Sequence, residues 1–413
     1  MPDKYSRTSN TDNHAGAGSA GEFYNRGLQH HQAGRLEDAR VDYRSVLQLQ
    51  PEHADALHML GVLAYQIGQY DEALSLISRA EKLLPPNAGV CSNLGNVFQA
   101  SGQLEKAVAA FRKAIKLAPE NTIAHNNLGN ALRLQGKTDA AVDSFNRALA
   151  IDRNYIDAHV NLAITYQAMG DDTRAARSYE QAVKLDPGNK PAAHMLAALR
   201  GEVTDGAPPE HVERLFDGYA ERFDKHLVDT LGYSMPGELR REIDRQFGKD
   251  IQFSDAIDLG CGTGLTGVAF RDLCDNLTGI DFSPRMIDHA RERGVYDELR
   301  VGDVVSLLDV DQGSYDLVIC ADVFPYIGNI QPLFAAVCSH ARDGALFTFS
   351  TELETETDYV LRPSGRYAHS QQYLRSVSDR HGFSVITMRT ENLRKQKEVW
   401  IPGDLVVLQY QER

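Results

Sequence analysis

One register recurs five times in the first half of the chain. Gly34, Gly68, Gly102, Gly136 and Gly170 stand 34 residues apart. Ala39, Ala73, Ala107, Ala141 and Ala175 keep the same period, as do the large residues Tyr43, Ile77, Phe111, Phe145 and Tyr179. Pro51, Pro85 and Pro119 follow it; Arg153 breaks that series and Pro187 restores it. Such a period describes a pair of antiparallel helices that cannot bury its apolar face alone, so successive pairs must stack. Small residues at Gly61, Gly95, Gly129 and Ala163 let two helices approach, and the later large residue fills the gap. Five units are expected over 20–187. The first is degenerate, with Arg26 and His30 where apolar residues are usual. A further helix over 191–199 is expected to cover the open end.

This pattern resembles the tetratricopeptide repeats. Asn93, Asn127 and Asn161 recur in it, Asn25 is in register and Met59 interrupts. The resemblance places these residues on the first helix of each pair, facing the concave surface. The ladder is similar to that of the O-linked N-acetylglucosamine transferases. A carboxamide both donates and accepts, so Asn93, Asn127 and Asn161 are candidate clamps for an extended peptide. The plainer alternative is a common polar surface choice.

After a polar stretch with two Gly and two Pro at 201–209, read as a linker, the pattern changes. Helical segments are expected over 212–227 and 236–247. Strands then alternate with helices: 254–259, 277–281, 298–301, 315–320 and 345–350, with helices over 265–274, 284–293, 330–341 and 371–380. That alternation implies a parallel sheet covered on both faces. Two last runs, 384–389 and 405–410, suit an antiparallel hairpin. At the end of the first strand lies Asp258-Leu259-Gly260-Cys261-Gly262-Thr263-Gly264. Three glycines without Cβ atoms allow a ligand to lie on the backbone. Asp281 ends the next strand, where a carboxylate can accept ribose hydroxyls.

At these residues the chain resembles class I S-adenosylmethionine-dependent methyltransferases, specifically bacterial members with N-terminal tetratricopeptide repeats. The resemblance covers 210–413 beside the array. It implies an all-α solenoid followed by an α/β Rossmann-like sheet with a C-terminal antiparallel hairpin, and S-adenosylmethionine as cofactor. It also implies that Asp258, Gly260, Gly262 and Gly264 wrap the methionine end, Asp281 takes the ribose, Asp303 and Val304 meet the adenine, and Asp322 borders the transferred methyl. Gly262, Gly264 and Gly267 also spell the dinucleotide fingerprint, but Gly260, not Gly262, directly follows the expected strand.

His369 is the candidate base, its ordinary pKa lying near neutrality; alternatively it or Ser370 caps the helix at Gln371. Tyr326 is the second catalytic candidate. Tyr219 and Phe223 are candidates for a helical lid. Arg362 and Arg366 could clamp an anion, or be surface charge. Arg394, Lys395 and Lys397 form a basic stretch that could meet an anionic substrate, or be a solvated hairpin turn. Cys261 is read as a small turn residue. The 320–326 segment lacks the signatures of nucleic-acid amino or cytosine C5 methylation. With a net charge of −14, this favours a small molecule or a protein side chain over a polyanion.

Five scattered cysteines and no CxxC pair favour reduced thiols in the cytoplasm, with no metal site. No apolar run approaches membrane-spanning length, and no nucleic-acid or membrane partner is expected. Residues 1–19 are read as a disordered tail. The expected function is a methyltransferase whose repeats recruit a protein partner or substrate. The alternative is a repeat scaffold whose second half binds the cofactor without catalysis.

Overall fold

The structure is a computed structural model and describes residues 18–217, 224, 227, 230–396 and 399–412. Tyr219, Phe223, Lys397 and most of the expected tail lie outside the described residues. Contacts divide the chain into two compact units, one ending at Asp171 and one beginning at Asp172. The division falls inside the fifth repeat, ahead of the stretch expected as linker.

The first unit is a run of helix pairs: Ala20–Gln32 with Leu36–Leu49, Ala54–Gln66 with Tyr70–Leu83, Ala88–Ala100 with Leu104–Leu117, and Thr122–Leu134 with Thr138–Ile151, followed by Ile156–Met169. Each pair turns through its periodic glycine, at φ between 73 and 80° from Gly34 to Gly170, which is why that position tolerates no ordinary residue. The helices touch where the small residue stands. A Cβ on Gly95 would meet the Phe111 ring at 2.5 Å, and one on Gly129 would meet Phe145 at 2.5 Å. The caps are periodic too: the side chains of Asn87 and Asn121 accept from N–H groups in the first turns of their helices, and Asn189 does so in the second unit. The degenerate first repeat has its own logic. Arg26 Nε donates to both oxygens of the buried Asp42 carboxylate, and His30 Nδ1 lies 3.2 Å from it. A polar trio thus stands in for the missing apolar contacts.

The second unit opens with helices Asp172–Leu185, Lys190–Arg200 and Pro209–Asp217, then Met235–Phe247. Its strands are β1 (Phe253–Leu259), β2 (Cys274–Asp281), β3 (Glu298–Val301), β4 (Tyr315–Cys320), β5 (Ala341–Glu354), β6 (Tyr359–Leu361), β7 (Tyr367–Ser370), β8 (Phe383–Gln396) and β9 (Val399–Tyr410). Among the described residues they form one sheet in the order β3-β2-β1-β4-β5-β7-β6, with β9 also on β5 and β8 on β9. β1 to β5 pair in parallel. β9 runs antiparallel to β5 over Leu346 to Glu352, and the tip of β5 pairs with β7 over Glu352 to Glu354. Alternation along the central strands supplies both faces. Val318, Cys320, Phe347 and Phe349 pack under Phe334 and Leu374; Leu317, Ile319 and Leu346 pack under Leu239 and Phe270.

Among the described residues, β6, β7, the helix Val304–Val310 and the 3-10 turn Phe324–Tyr326 were not expected. Each is seven residues or fewer, too short for a period to declare itself. The 201–209 stretch does interrupt the helices, but it is bonded to the sheet unit. Thr204 Oγ1 shares a hydrogen bond with the Tyr367 hydroxyl, Ala207 N donates to Tyr326 O at 2.9 Å, and Gly206 bridges Ile327.

Gly129→Val forces a branched side chain into the Phe145 ring and is expected to destabilise the array by about 1–3 kcal/mol. Urea unfolding measures this; an unchanged midpoint would show that the repeats do not depend on that close approach.

Candidate functional site

β1 delivers the glycine turn to the carboxyl end of the sheet. Gly260, Gly262 and Gly264 all have positive φ, at 76, 53 and 93°. Gly260 N and Cys261 N both donate to Ile280 O, at 2.8 and 2.9 Å, which ties the turn to β2. A Cβ on Gly260 would lie 2.1 Å from Val323, so the turn also presses on the segment after β4. Asp281, at the end of β2, accepts from Gly262 N and Ser283 N, each at 2.9 Å. Asp303 caps the helix Val304–Val310, accepting from Ser306 N at 2.8 Å.

Asp258 lies under the turn and is fully buried. The Tyr296 hydroxyl donates to its Oδ2 at 2.6 Å, whereas Oδ1 has no hydrogen-bond partner. Burial raises this carboxyl to about 7, against the Tyr296 hydrogen bond and with a further push from Asp281. Gly267 belongs to the same arrangement. A Cβ there would meet the Tyr296 ring at 2.4 Å, so this glycine makes room for the tyrosine that holds Asp258. The dinucleotide spacing of Gly262, Gly264 and Gly267 therefore has a packing origin.

A cavity of about 390 Å³ brings these elements together. Its wall includes Gly260, Gly262, Asp281, Asp303, Val304, Asp322 and Tyr326. Asp258 and Gly264 support the turn from behind and do not line the wall. Phe216, which lies in a stretch resembling the repeat-bearing methyltransferases, also contributes, as do Asp205, Val212 and Tyr233, which no sequence signal singled out. The wall is largely apolar, the usual setting in which a few polar groups orient a ligand.

Residues 257–347 match the family model of a methyltransferase domain, and 30–90, 92–156 and 132–199 match tetratricopeptide repeat models. The chain joins tetratricopeptide repeats to a methyltransferase domain. It is similar to the ubiquinone biosynthesis O-methyltransferase of Bordetella avium (strain 197N), 27% identical over 34% of this chain and 64% of that protein. The protein of the same name from Xanthomonas euvesicatoria pv. vesicatoria (strain 85-10) is 28% identical over 26% of this chain and 47% of its own length. The chain thus spans between about half and just under two thirds of these relatives. Among solved structures, MamA 41-end from Desulfovibrio magneticus RS-1 is 19% identical, covering 41% of this chain and 96% of its own, with a TM-score of 0.39. YrrB, described as a TPR protein with an unusual peptide-binding site, is 24% identical over 43% and 91%, with a TM-score of 0.37.

In the methyltransferase domain, the expected base is displaced. His369 sits on β7 with no exposure and does not line the cavity. Its Nδ1 lies 2.7 Å from Thr351 Oγ1 and its Nε2 3.1 Å from Gly328 O. The carbonyl can only accept, so Nε2 carries the proton and Nδ1 accepts from the threonine. Burial lowers this imidazole to about 4, against backbone hydrogen bonds that favour its charge. It is a core histidine that fixes the 328 loop, and the base assignment to His369 is corrected. Ser370 caps the following helix, accepting from Tyr373 N at 3.3 Å.

Tyr326 does face the cavity, and its partners are unexpected. Arg366 is mostly buried; its Nη1 donates to the Tyr326 hydroxyl at 2.7 Å, its Nη2 to Asp322 at 2.9 Å and its Nε to Glu352 at 2.7 Å. Burial opposes the Arg366 charge, but Asp322, Tyr326 and Glu352 outweigh it and hold the group above its ordinary pKa. Arg394 Nη2 also reaches Glu352, at 3.3 Å, from within β8, and Arg362 Nη1 approaches at 3.6 Å. The expectation of surface or turn charges at Arg366 and Arg394 is thereby corrected: three arginines converge on one buried carboxylate. Cys261 lines the cavity with its thiol pushed well up by burial, in keeping with a turn residue rather than a nucleophile. Among the described residues no cluster of His, Cys, Asp and Glu could hold a metal ion, and no helix is long and apolar enough to cross a membrane.

The Asp258 carboxyl gives a testable pH signature. A buried acid with a raised pKa binds its proton more tightly in the native than in the unfolded chain, so native stability falls as pH rises from about 4 to about 7. Asp258→Asn keeps an acceptor for Tyr296 and is expected to flatten that part of the profile in the cofactor-free chain. Urea titrations across this range provide the measurement; an identical slope in the variant would refute the assignment.

Proposed function

We propose that this chain transfers a methyl group from S-adenosylmethionine to a small molecule or a protein side chain, and that its repeats recruit a protein partner or the substrate. The single observation that carries this reading is the cavity. It is lined by the glycine turn, Asp281 and the Asp303-Val304 corner, and also by Asp322 and Tyr326. The residues fit the cofactor. The turn offers side-chain-free backbone, Asp281 and Asp303 offer carboxylate acceptors, and the orphaned Oδ1 of Asp258 stands behind the turn. When bound, the cofactor supplies an electrophilic methyl group on a sulfonium.

The chain's own task is alignment and exclusion of water. Val323, Tyr326 and Phe216 provide apolar surface beside Asp322, and Phe216 and Tyr326 meet edge to face at 5.4 Å between ring centres. A guanidinium only donates, so the Tyr326 oxygen accepts from Arg366 and its own proton is directed to another acceptor. Burial raises the Tyr326 pKa, which keeps the hydroxyl protonated. Tyr326 therefore serves as a hydrogen-bond donor that orients the methyl acceptor, in place of a base at His369. The names of the similar relatives support oxygen as the acceptor atom.

In the array, Asn93 Nδ2 meets His58 Nε2 at 2.9 Å, Asn127 Nδ2 donates to Asn96 at 3.0 Å, and Asn161 Nδ2 donates to Asn126 at 3.0 Å. These bonds cross from one repeat to the previous one. They orient the carboxamides of a peptide-binding ladder.

Asp281→Ala is expected to cost about 1.5–3 kcal/mol of S-adenosylmethionine affinity, measured by calorimetry. Purified protein incubated with methyl-labelled cofactor and cell extract should pass label to an acceptor; tight binding without transfer would favour the non-catalytic scaffold. An affinity loss below about twofold in Asp281→Ala would remove that residue from the site. Asn127→Ala combined with Asn161→Ala should weaken partner capture in a pull-down, and undiminished capture would count against the ladder.

A further inference from the structure

The stretch between the last repeat helix and the sheet is polar and rich in Gly and Pro, yet it is fastened at nearly every residue. Asp205 O accepts from Gly328 N at 2.9 Å and Asn329 N at 2.7 Å. Ala207 N returns the bond to Tyr326 O, and Gly206 and Ile327 form an antiparallel bridge. Thr204 meets the Tyr367 hydroxyl. A Cβ on Gly328 would stand 2.6 Å from Thr204 O and 2.7 Å from the Tyr359 and Tyr367 rings, so the contact is close along its whole length.

The helix Lys190–Arg200 anchors the other end. Ala197 and Ala198 pack on Leu361 and Tyr367, with Ala207 beside them. His194 Nε2 lies 3.0 Å from Gly365 O, and the imidazole donates there because a carbonyl only accepts. A Cβ on Gly365 would meet Met195 Sδ at 2.7 Å. The two gripped segments are those that present the acceptor-side groups. The 326–329 loop carries Tyr326, Ile327 and Asn329 into the cavity wall, and Arg366, between Gly365 and Tyr367, holds Tyr326 and Asp322.

We infer that residues 204–207, anchored by the helix Lys190–Arg200, are a positioning strap that completes the methyl-acceptor side of the cavity. The inference rests on the methyltransferase reading. It adds that the catalytic unit takes in the helix Lys190–Arg200, just beyond the last repeat, and that Thr204 is a positioning residue acting through Tyr367 and the 326–329 loop. The cofactor wall, built from β1, β2 and the helix Val304–Val310, does not touch the strap through any of these bonds. Disturbing the strap therefore separates acceptor from cofactor.

Two variants of the full chain test this. Thr204→Val removes the hydroxyl with little change of shape, and Gly328→Ala wedges strap and loop apart. Each is expected to speed amide exchange at Gly328 and Asn329 roughly tenfold in the cofactor-free chain. Each is also expected to lower label transfer from methyl-labelled S-adenosylmethionine into soluble extract about tenfold, because small displacements of aligned groups are costly. The calorimetric Kd for S-adenosylhomocysteine should stay within about twofold. Thr204→Ser should restore transfer. Unchanged exchange and transfer in both variants would overturn the strap. So would a fall in S-adenosylhomocysteine affinity that tracks the loss of transfer, since that marks a general stabilising role. If the wild-type chain transfers no label, the methyltransferase reading fails first. The exchange arm needs no cofactor and then decides only whether residues 204–207 fasten the 326–329 loop: unchanged exchange overturns that as well, and the positioning role falls with the methyltransferase reading.

Discussion

Glu352 and Arg366 are charges that the fold has withdrawn from water, and much of the site hangs on how they are matched. An ion so placed loses several kcal/mol of hydration and is tolerated only where hydrogen-bonding partners surround it. Here the partners come from separate elements: Glu352 from β5, Arg366 from the approach to β7, Arg394 from β8, and Asp322 and Tyr326 from the segment after β4. A slip of register in β5 would carry Glu352 away from all three arginines. The network thus pins the one region of the sheet where a parallel strand, β5, has both β7 and β9 as neighbours.

The glycine turn depends on a second set of buried polar groups, and the logic is different. There the backbone is brought close to β2 and to Val323, leaving no room for side chains. Asp258 stays beneath as a carboxyl whose charge is suppressed by burial. The two polar clusters are therefore held by different electrostatic means: Glu352 and Arg366 by matched charges, Asp258 by burial that disfavours its ionisation. Both leave the cavity wall itself mostly apolar, which strengthens the few polar contacts a ligand would make.

Much of the fold was legible because its signals are local and repeated. The array announces itself through glycines, alanines and aromatics in one register. The strands around the glycine turn were placed within a few residues because they are continuous apolar runs between breakers. The site was legible in part. Asp281, Asp303 and Asp322 reach the cavity as strand-end positions should. His369 did not, because the parity of a four-residue strand cannot be told from its sequence, and β7 turns that imidazole into the core. Arg366 and Arg394 read as surface charge because nothing near them in the chain shows the carboxylate they meet.

By itself, then, the sequence determined a stack of helix pairs followed by a glycine-turn sheet, since both follow from spacings within a few dozen residues. Tertiary structure alone decided which polar groups face the cavity, and that residues 194–207 bond to the 326–329 loop and to the approach to β7. The bonds responsible join residues far apart in the chain: His194 to Gly365 across 171 positions, Thr204 to Tyr367 across 163. No local pattern encodes such a pairing. A stretch that reads as a linker by its glycines and prolines is fastened only when the 326–329 loop offers it backbone groups to bond.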